Sequence, residues 1–266
     1  MCGIFFCYDK KINFKKCINS LKILKKRGPD YIHYDLIDKN IFMGQTVLNI
    51  VGKYDKKKYL SKKGNYRIIY NGEIYNYKNI DNYDSDTQCL IEQFEKDNFE
   101  NIVKSLDGMF CFVCINLQEK KMYISRDLQG EKGIYFYKDS NKFIISSEIK
   151  PILNYLDEKK KINVDKLKDY FFTRHLIENN KTIYTNINLF PNGLNIVYDL
   201  KNNKIEKQFK LGFESLIKKD LSLKLRNKSI LELQNILEKM INENLKEMIP
   251  VVPFASVVSG GIDSSL

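Results

Sequence analysis

Apolar residues run almost unbroken from Cys2 to Tyr8, through Gly3, Ile4, Phe5, Phe6 and Cys7, which predicts a buried strand at the very start of the chain. Phe14, Cys17, Ile18, Leu21 and Leu24 then recur every three or four residues, the spacing of one helix face, and Gly28-Pro29 ends that helix. Short β-branched and aromatic runs predict strands over residues 31–37, 41–51 and 66–70. A second helix is predicted over residues 86–96, with Leu90, Ile91 and Phe94 on one face and Ser85 or Asp86 as its cap. Further strands are predicted over residues 109–116, 121–125, 133–137 and 143–147, helices over 149–156 and 165–172, and a hairpin over 192–209. Many strands among few helices predict an α+β fold rather than a parallel βαβ chain. Residues 211–227 read as a linker. Beyond it Leu231, Ile236, Leu237, Met240, Ile241 and Leu245 mark an amphipathic helix, Pro250 and Pro253 break it, and an apolar strand over 254–258 leads into Ser259-Gly260-Gly261.

Composition narrows the picture only slightly. With 266 residues, 43% of them hydrophobic, the chain has material for one full domain and the beginning of another. The net charge of +11 suggests nucleic acid, but the basic residues are nearly all Lys spread along the whole chain, which is the pattern of solvated surface. No apolar run approaches the roughly 18 residues of a membrane span, and the N-terminus lacks a secretory pattern. A soluble protein of the reducing cytoplasm is expected, without nucleic-acid or membrane partners. Of six cysteines, Cys111 and Cys114 form a Cys-x-x-Cys, but no second pair or histidine partner completes a zinc set, so a core role is expected and no metal site.

Cys2 carries the most chemistry. Once Met1 is removed, one residue holds both a thiol nucleophile and an α-amine able to take up the thiol proton through water. A structural strand cysteine is the plain alternative. It is followed by Arg27-Gly28-Pro29-Asp30, Asn71-Gly72-Glu73-Ile74-Tyr75-Asn76, Ser85-Asp86-Thr87, Leu106-Asp107-Gly108-Met109-Phe110 and Arg126-Asp127 with Gly130, Lys132 and Tyr135. Ser146-Ser147-Glu148-Ile149-Lys150 and Ser259-Gly260-Gly261-Ile262-Asp263-Ser264-Ser265 complete the series. Together these resemble the glutamine-hydrolysing asparagine synthetases, which are class II glutamine amidotransferases. The resemblance implies a four-layer αββα N-terminal-nucleophile sandwich over residues 2–210. A linker over 211–227 and the start of an ATP-binding synthetase domain over 228–266 would follow.

By that resemblance Cys2 is the nucleophile, and Asn71 and Gly72 form the oxyanion hole through a side-chain amide and a backbone N–H. Taken alone, Asn71-Gly72 could equally be a hairpin turn. Asp86 would pair with the α-ammonium of glutamine and Glu73 would add a polar contact, while Arg126 and Asp127 would be structural or line the exit route of ammonia. The glutamine-binding segment maps to Val47, Leu48, Asn49, Ile50 and Val51. Here the chain departs from the family, because Val47 stands where an Arg grips the glutamine α-carboxylate. Loss of that contact should cost several kcal/mol of binding, and Arg67 or Lys53 could reach the carboxylate instead. Val258, Ser259, Gly260, Gly261, Asp263 and Ser264 would hold ATP, with Mg2+ close to Asp263. The chain stops at Leu266 without the helix and sheet that such a loop needs, so ATP binding is not expected of these residues alone. The implied reaction is glutamine-dependent amidation of aspartate, with a homodimer left open. Two other readings remain: an amide-transferring or amide-hydrolysing enzyme with another substrate or acceptor, and a non-catalytic remnant that binds a partner.

Overall fold

The structure is a computed structural model and describes residues 1–156, 161–176, 178, 180–212, 228–249, Val252, Pro253, Ala255 and 258–261. Strand β1, Gly3–Asp9, is fully buried and sits in the middle of a six-stranded sheet. Its neighbours are β3, Ile41–Val47, and β8, Lys142–Ser146, both antiparallel to it. The sheet is completed by β2, Tyr31–Ile37, outside β3, and by β7, Tyr135–Lys138, and β9, Ile187–Leu189, outside β8. A second antiparallel sheet runs β11-β10-β6-β5-β4. Its strands are β4, Tyr66–Ile74, β5, Gly108–Asn116, β6, Lys121–Arg126, β10, Leu194–Asp199, and β11, Lys204–Lys210.

Strand alternation explains the layering. Ile4, Phe6 and Tyr8 of β1 join Ile69 of β4 and Cys111, Val113 and Ile115 of β5 in one core between the sheets. Phe5 and Cys7 point the other way, onto Cys17 and Leu21 of helix α1, Phe14–Ile23, and Ile152 and Tyr155 of helix α5, Ile149–Leu156. On the far side of the second sheet, Ile68, Tyr70, Phe110 and Phe112 meet Leu90 and Ile91 of helix α3, Asp86–Gln93, and Ile102 and Val103 of helix α4, Phe99–Ser105. The result is the αββα order that the motifs imply. Helix α2, Tyr77–Ile80, precedes α3, and helix α6, Val164–Thr173, follows α5.

Three local expectations are corrected. The third strand ends at Val47 rather than Val51, because Asn49 N–H donates to Asp30 and Gly52 turns into the left-handed region at φ 68. The strand expected over residues 133–137 begins only at Tyr135, since the preceding loop is held by Arg126 and Asp127. Helix α3 stops at Gln93, and its cap is Ser85, whose hydroxyl accepts from Gln88 N–H. Helices α2 and α4 and strand β9 are too short to raise a periodic signal.

The last helix among the described residues, α7, Ile230–Met248, has a capping box in Ser229 and Glu232. It touches the sandwich near its C-terminus, where Asn79 Nδ2 donates to Glu247 Oε1 at 2.8 Å. Of the linker expected over 211–227, residues 213–227 lie outside the described residues, as does most of the strand expected at 254–258. No helix among the described residues is long and apolar enough to cross a membrane.

Candidate active site

Cys2 directly precedes the central strand, so the rigid sheet aims it at the edge where the two layers part. Arg27 holds it there: its Nε donates to the Cys2 carbonyl at 3.1 Å while its Nη1 meets Glu148 at 3.4 Å. The rest of the Arg27–Asp30 motif works on the opposite wall. Gly28 runs so close to β3 that a Cβ would lie 2.3 Å from the Thr46 carbonyl carbon. Asp30 N–H donates to the Val47 carbonyl at 3.1 Å, and its carboxylate accepts from Asn49 N–H at 2.8 Å. The motif thus sets both the nucleophile and the segment after β3.

A cavity of about 110 Å³ joins Cys2 to Asn71, Gly72, Glu73 and Asp86, with Val47, Leu48, Asn49, Ile50 and Val51 along one side. The Cys2 Sγ lies 3.7 Å from the Leu48 carbonyl oxygen. Burial pushes the thiol pKa up, opposed by the Leu48 backbone, the charged chain terminus and the Gln45 amide. A thiol so placed needs a base, and burial, helped by Arg27 and Lys132, pushes the terminal amine down towards its neutral, proton-accepting form. In this chain that amine still belongs to Met1, which also lines the cavity.

Asn71 and Gly72 do not form a hairpin turn. They lie within β4, paired with Cys111 and Phe110 of β5. Gly72 is required there, because a Cβ would lie 2.1 Å from the Met109 carbonyl oxygen and 2.6 Å from Phe110 Cα. Asn71 is fully buried; its Nδ2 lies 3.9 Å from Cys111 Sγ, and its Oδ1 has no hydrogen-bond partner.

Asp86 opens helix α3 with both carboxylate oxygens engaged. Oδ2 accepts from Tyr70 OH at 2.8 Å and Ile74 N–H at 3.3 Å, and Oδ1 from Thr87 N–H at 2.7 Å. Burial raises its pKa above the ordinary value, and those donors pull it back. Glu73 is also raised, first by burial and then by Asp86, while Lys132 opposes. Gln45, which also lines the cavity, accepts from Tyr70 N–H at 2.8 Å and so ties β3 to β4.

The cavity's Val47 wall is apolar and closely packed: Val47 is 3% exposed and shares its cluster with Tyr59, Ile68 and Ile74. The two cations expected to replace the missing guanidinium are elsewhere. Arg67 forms an ion pair with Asp35, and neither Arg67 nor Lys53 lines the cavity. Arg126 and Asp127 are bound into their own loop. The guanidinium donates to the carbonyls of Gly130, Lys132 and Phe190, and the carboxylate accepts from the N–H groups of Glu131 and Lys132.

Behind Tyr59 stands His33, 6% exposed, its ring centroid 4.3 Å from that of Tyr59. Its Nδ1 meets Tyr54 OH at 3.2 Å and its Nε2 has no partner. Burial pushes its pKa down to about 4. In the unfolded chain the imidazole takes up a proton near pH 6.5. Between the two values the unfolded state binds more protons, so this contribution is complete above about pH 6.5 and lost as the pH falls towards 4. His33→Phe should remove about 2–3 kcal/mol of that acid sensitivity. Denaturant unfolding at pH 7 and pH 4.5 measures it, and equal losses in both proteins would exclude the assignment.

Of the expected ATP-binding residues, Val258, Ser259, Gly260 and Gly261 are exposed, and Gly260 has φ 81. Asp263 and Ser264 lie outside the described residues. A larger cavity of about 410 Å³, lined in part by Tyr75, Arg126, Asp127 and Glu247, opens between the sandwich and α7.

Two stacked antiparallel sheets between helical layers, with a cysteine beside a chain terminus at the end of the central strand, are the architecture of N-terminal-nucleophile hydrolases. Within that class, residues 1–210 match the glutamine amidotransferase domain, and the chain belongs to that family. A putative glutamine-hydrolysing asparagine synthetase 2 of Methanocaldococcus jannaschii is 29% identical over 306 residues, covering 100% of this chain and 56% of the relative. A probable asparagine synthetase of Acanthamoeba polyphaga mimivirus is also 29% identical, over 284 residues, covering 100% of this chain and 48% of the relative. The chain therefore spans about half the length of these relatives. Among solved structures, glutamine phosphoribosylpyrophosphate amidotransferase from B. subtilis shares the fold, with a TM-score of 0.53 at 12% identity over 79% of this chain and 49% of that one. The allosteric regulatory enzyme of purine biosynthesis aligns with a TM-score of 0.56 at 12% identity, with the same coverage.

Proposed function

We propose that this protein hydrolyses the side-chain amide of glutamine at Cys2, and that the ammonia serves the ATP-dependent amidation of aspartate, as in an asparagine synthetase. The observation that carries the reading is the single small cavity joining Cys2, Asn71, Gly72 and Asp86. After removal of Met1, the Cys2 thiol attacks the amide carbon while its proton passes through water to the α-amine. The Gly72 N–H and the Asn71 amide receive the developing oxyanion. Collapse of the tetrahedral intermediate returns the proton to the leaving nitrogen, which departs as ammonia, and water then hydrolyses the thioester to glutamate. Asp86 and Glu73 supply negative charge for the substrate's α-ammonium.

The ATP and Mg2+ part of the reading rests on the residues of the terminal loop. Val258 to Gly261, with Asp263 and Ser264, are small or acidic, and the left-handed Gly260 has open space where a Cβ would stand. Such a loop suits close approach by phosphate. The relatives' names support aspartate as the acceptor. Val47 favours a second reading, in which the amide donor lacks the α-carboxylate that the family's Arg would hold.

Release of ammonia and glutamate from glutamine by the purified chain is the test, read together with its intact mass. Active protein should begin at Cys2. Full activity with Met1 retained would remove the α-amine from the mechanism, and hydrolysis of other amides but not glutamine would favour the second reading.

A further inference from the structure

The loop that Arg126 and Asp127 hold so firmly delivers one side chain to the glutamine cavity, Lys132. Apart from the chain terminus, it is the only cation among the described residues lining that cavity. It is 6% exposed, and among the described residues its ammonium makes no hydrogen bond or ion pair. A cation that lines a polar cavity without a salt-bridge partner is placed to meet a carboxylate brought by a ligand. Glu73 feels the charge of Lys132 through space, yet no carboxylate of the cavity pairs with it directly among the described residues. Asp86 accepts from Tyr70, Ile74 and Thr87, and neither Asp86 nor Glu73 forms an ion pair with Lys132 among the described residues.

The loop geometry makes the placement deliberate rather than loose. Three carbonyls, one of them that of Lys132, converge on the Arg126 guanidinium, and Lys132 N–H donates to Asp127 Oδ2 at 3.2 Å. Glutamine presents three groups: an amide, an α-ammonium and an α-carboxylate. The cavity offers Asn71 and Gly72 for the first and Asp86 with Glu73 for the second. With Val47 apolar and Arg67 paired outside the cavity, Lys132 is the cation left for the third.

We propose that Lys132 binds the α-carboxylate of the amide donor, in the place of the guanidinium that Val47 cannot supply. The inference rests on the reading of the cavity as a glutaminase site and deepens it, since it makes the donor an α-amino acid amide rather than a simple amide. A point charge on a flexible stem replaces a two-pronged one, so recognition depends on charge more than on bidentate geometry.

The experiment compares glutamine with 4-aminobutanamide, which is glutamine without its carboxylate, on the full chain. In Lys132→Met the ratio of kcat/KM for glutamine to that for 4-aminobutanamide should fall about ten- to hundredfold, mainly through the KM for glutamine. Lys132→Arg should recover most of the ratio. A loss of packing would lower both substrates alike and leave the ratio unchanged, and that result overturns the proposal. If Lys132→Met does not fold, Lys132→Gln carries the same comparison with the same two outcomes. A wild-type chain that hydrolyses no glutamine would instead overturn the glutaminase reading itself, which separates that failure from an unchanged ratio in an active enzyme.

Discussion

Replacing Cys2 by Ala should lower amide hydrolysis by about three orders of magnitude or more while leaving the fold in place. On the proposed mechanism the thiol forms the one covalent bond to the substrate, so no neighbouring group compensates for its loss. Structurally it contributes little. The thiol meets only the Leu48 carbonyl, at 3.7 Å, and the Gln45 amide among the described residues, and the link from Arg27 reaches its backbone oxygen, which Ala retains. The melting temperature should therefore change by no more than the equivalent of about 1 kcal/mol. Ammonia release and thermal unfolding are the two measurements. Residual activity within tenfold of wild type would place the nucleophile elsewhere, and a collapsed melting temperature would make Cys2 structural.

Gly72→Ala should damage both stability and chemistry, for separable reasons. The added methyl would meet the Met109 carbonyl oxygen at 2.1 Å and Phe110 Cα at 2.6 Å, backbone atoms that no rotamer change can move. Either β4 shifts against β5 or their pairing opens, at a cost of about 2–4 kcal/mol. On the proposed mechanism the same shift turns the residue's N–H away from the oxyanion it receives, which should reduce kcat roughly a hundred- to a thousandfold. Denaturant titration gives the first quantity, and kcat measured well below the melting temperature gives the second. A stable variant with unaltered kcat would mean that neither the strand packing nor the oxyanion role holds.

The elements that could be read from the chain are those whose apolar residues repeat within one segment. The run from Ile4 to Tyr8 and the helical spacing of Cys17 and Leu21 became β1 and α1, because each buries a face that its own spacing defines. Boundaries were legible only where a local residue sets them, as with Ser85 at the start of α3. The end of β3 was not, since Asp30 lies far away in the chain and captures Asn49 N–H only once the sheet has formed. A four-residue helix such as α2 holds a single turn and leaves no period to detect.

At the site, sequence by itself determined which chemical groups exist: a cysteine that can become a terminus, an Asn-Gly pair, an acidic residue behind a serine cap, and a valine where the family carries an arginine. Those follow from residue type and order. Tertiary structure decided which of them meet and what surrounds them. Asn71-Gly72 became part of a strand rather than a turn because β5 supplied a partner along its whole length. Gln45 acquired a role through a contact with Tyr70 across two sheets. Among several dispersed cations, Arg67 was drawn to Asp35, while the grip of Arg126 and Asp127 on their loop left Lys132 facing the cavity. The physical reason is that hydrophobic periodicity reports only which face a segment buries, whereas the partner of a polar group depends on contacts between distant segments that burial brings together.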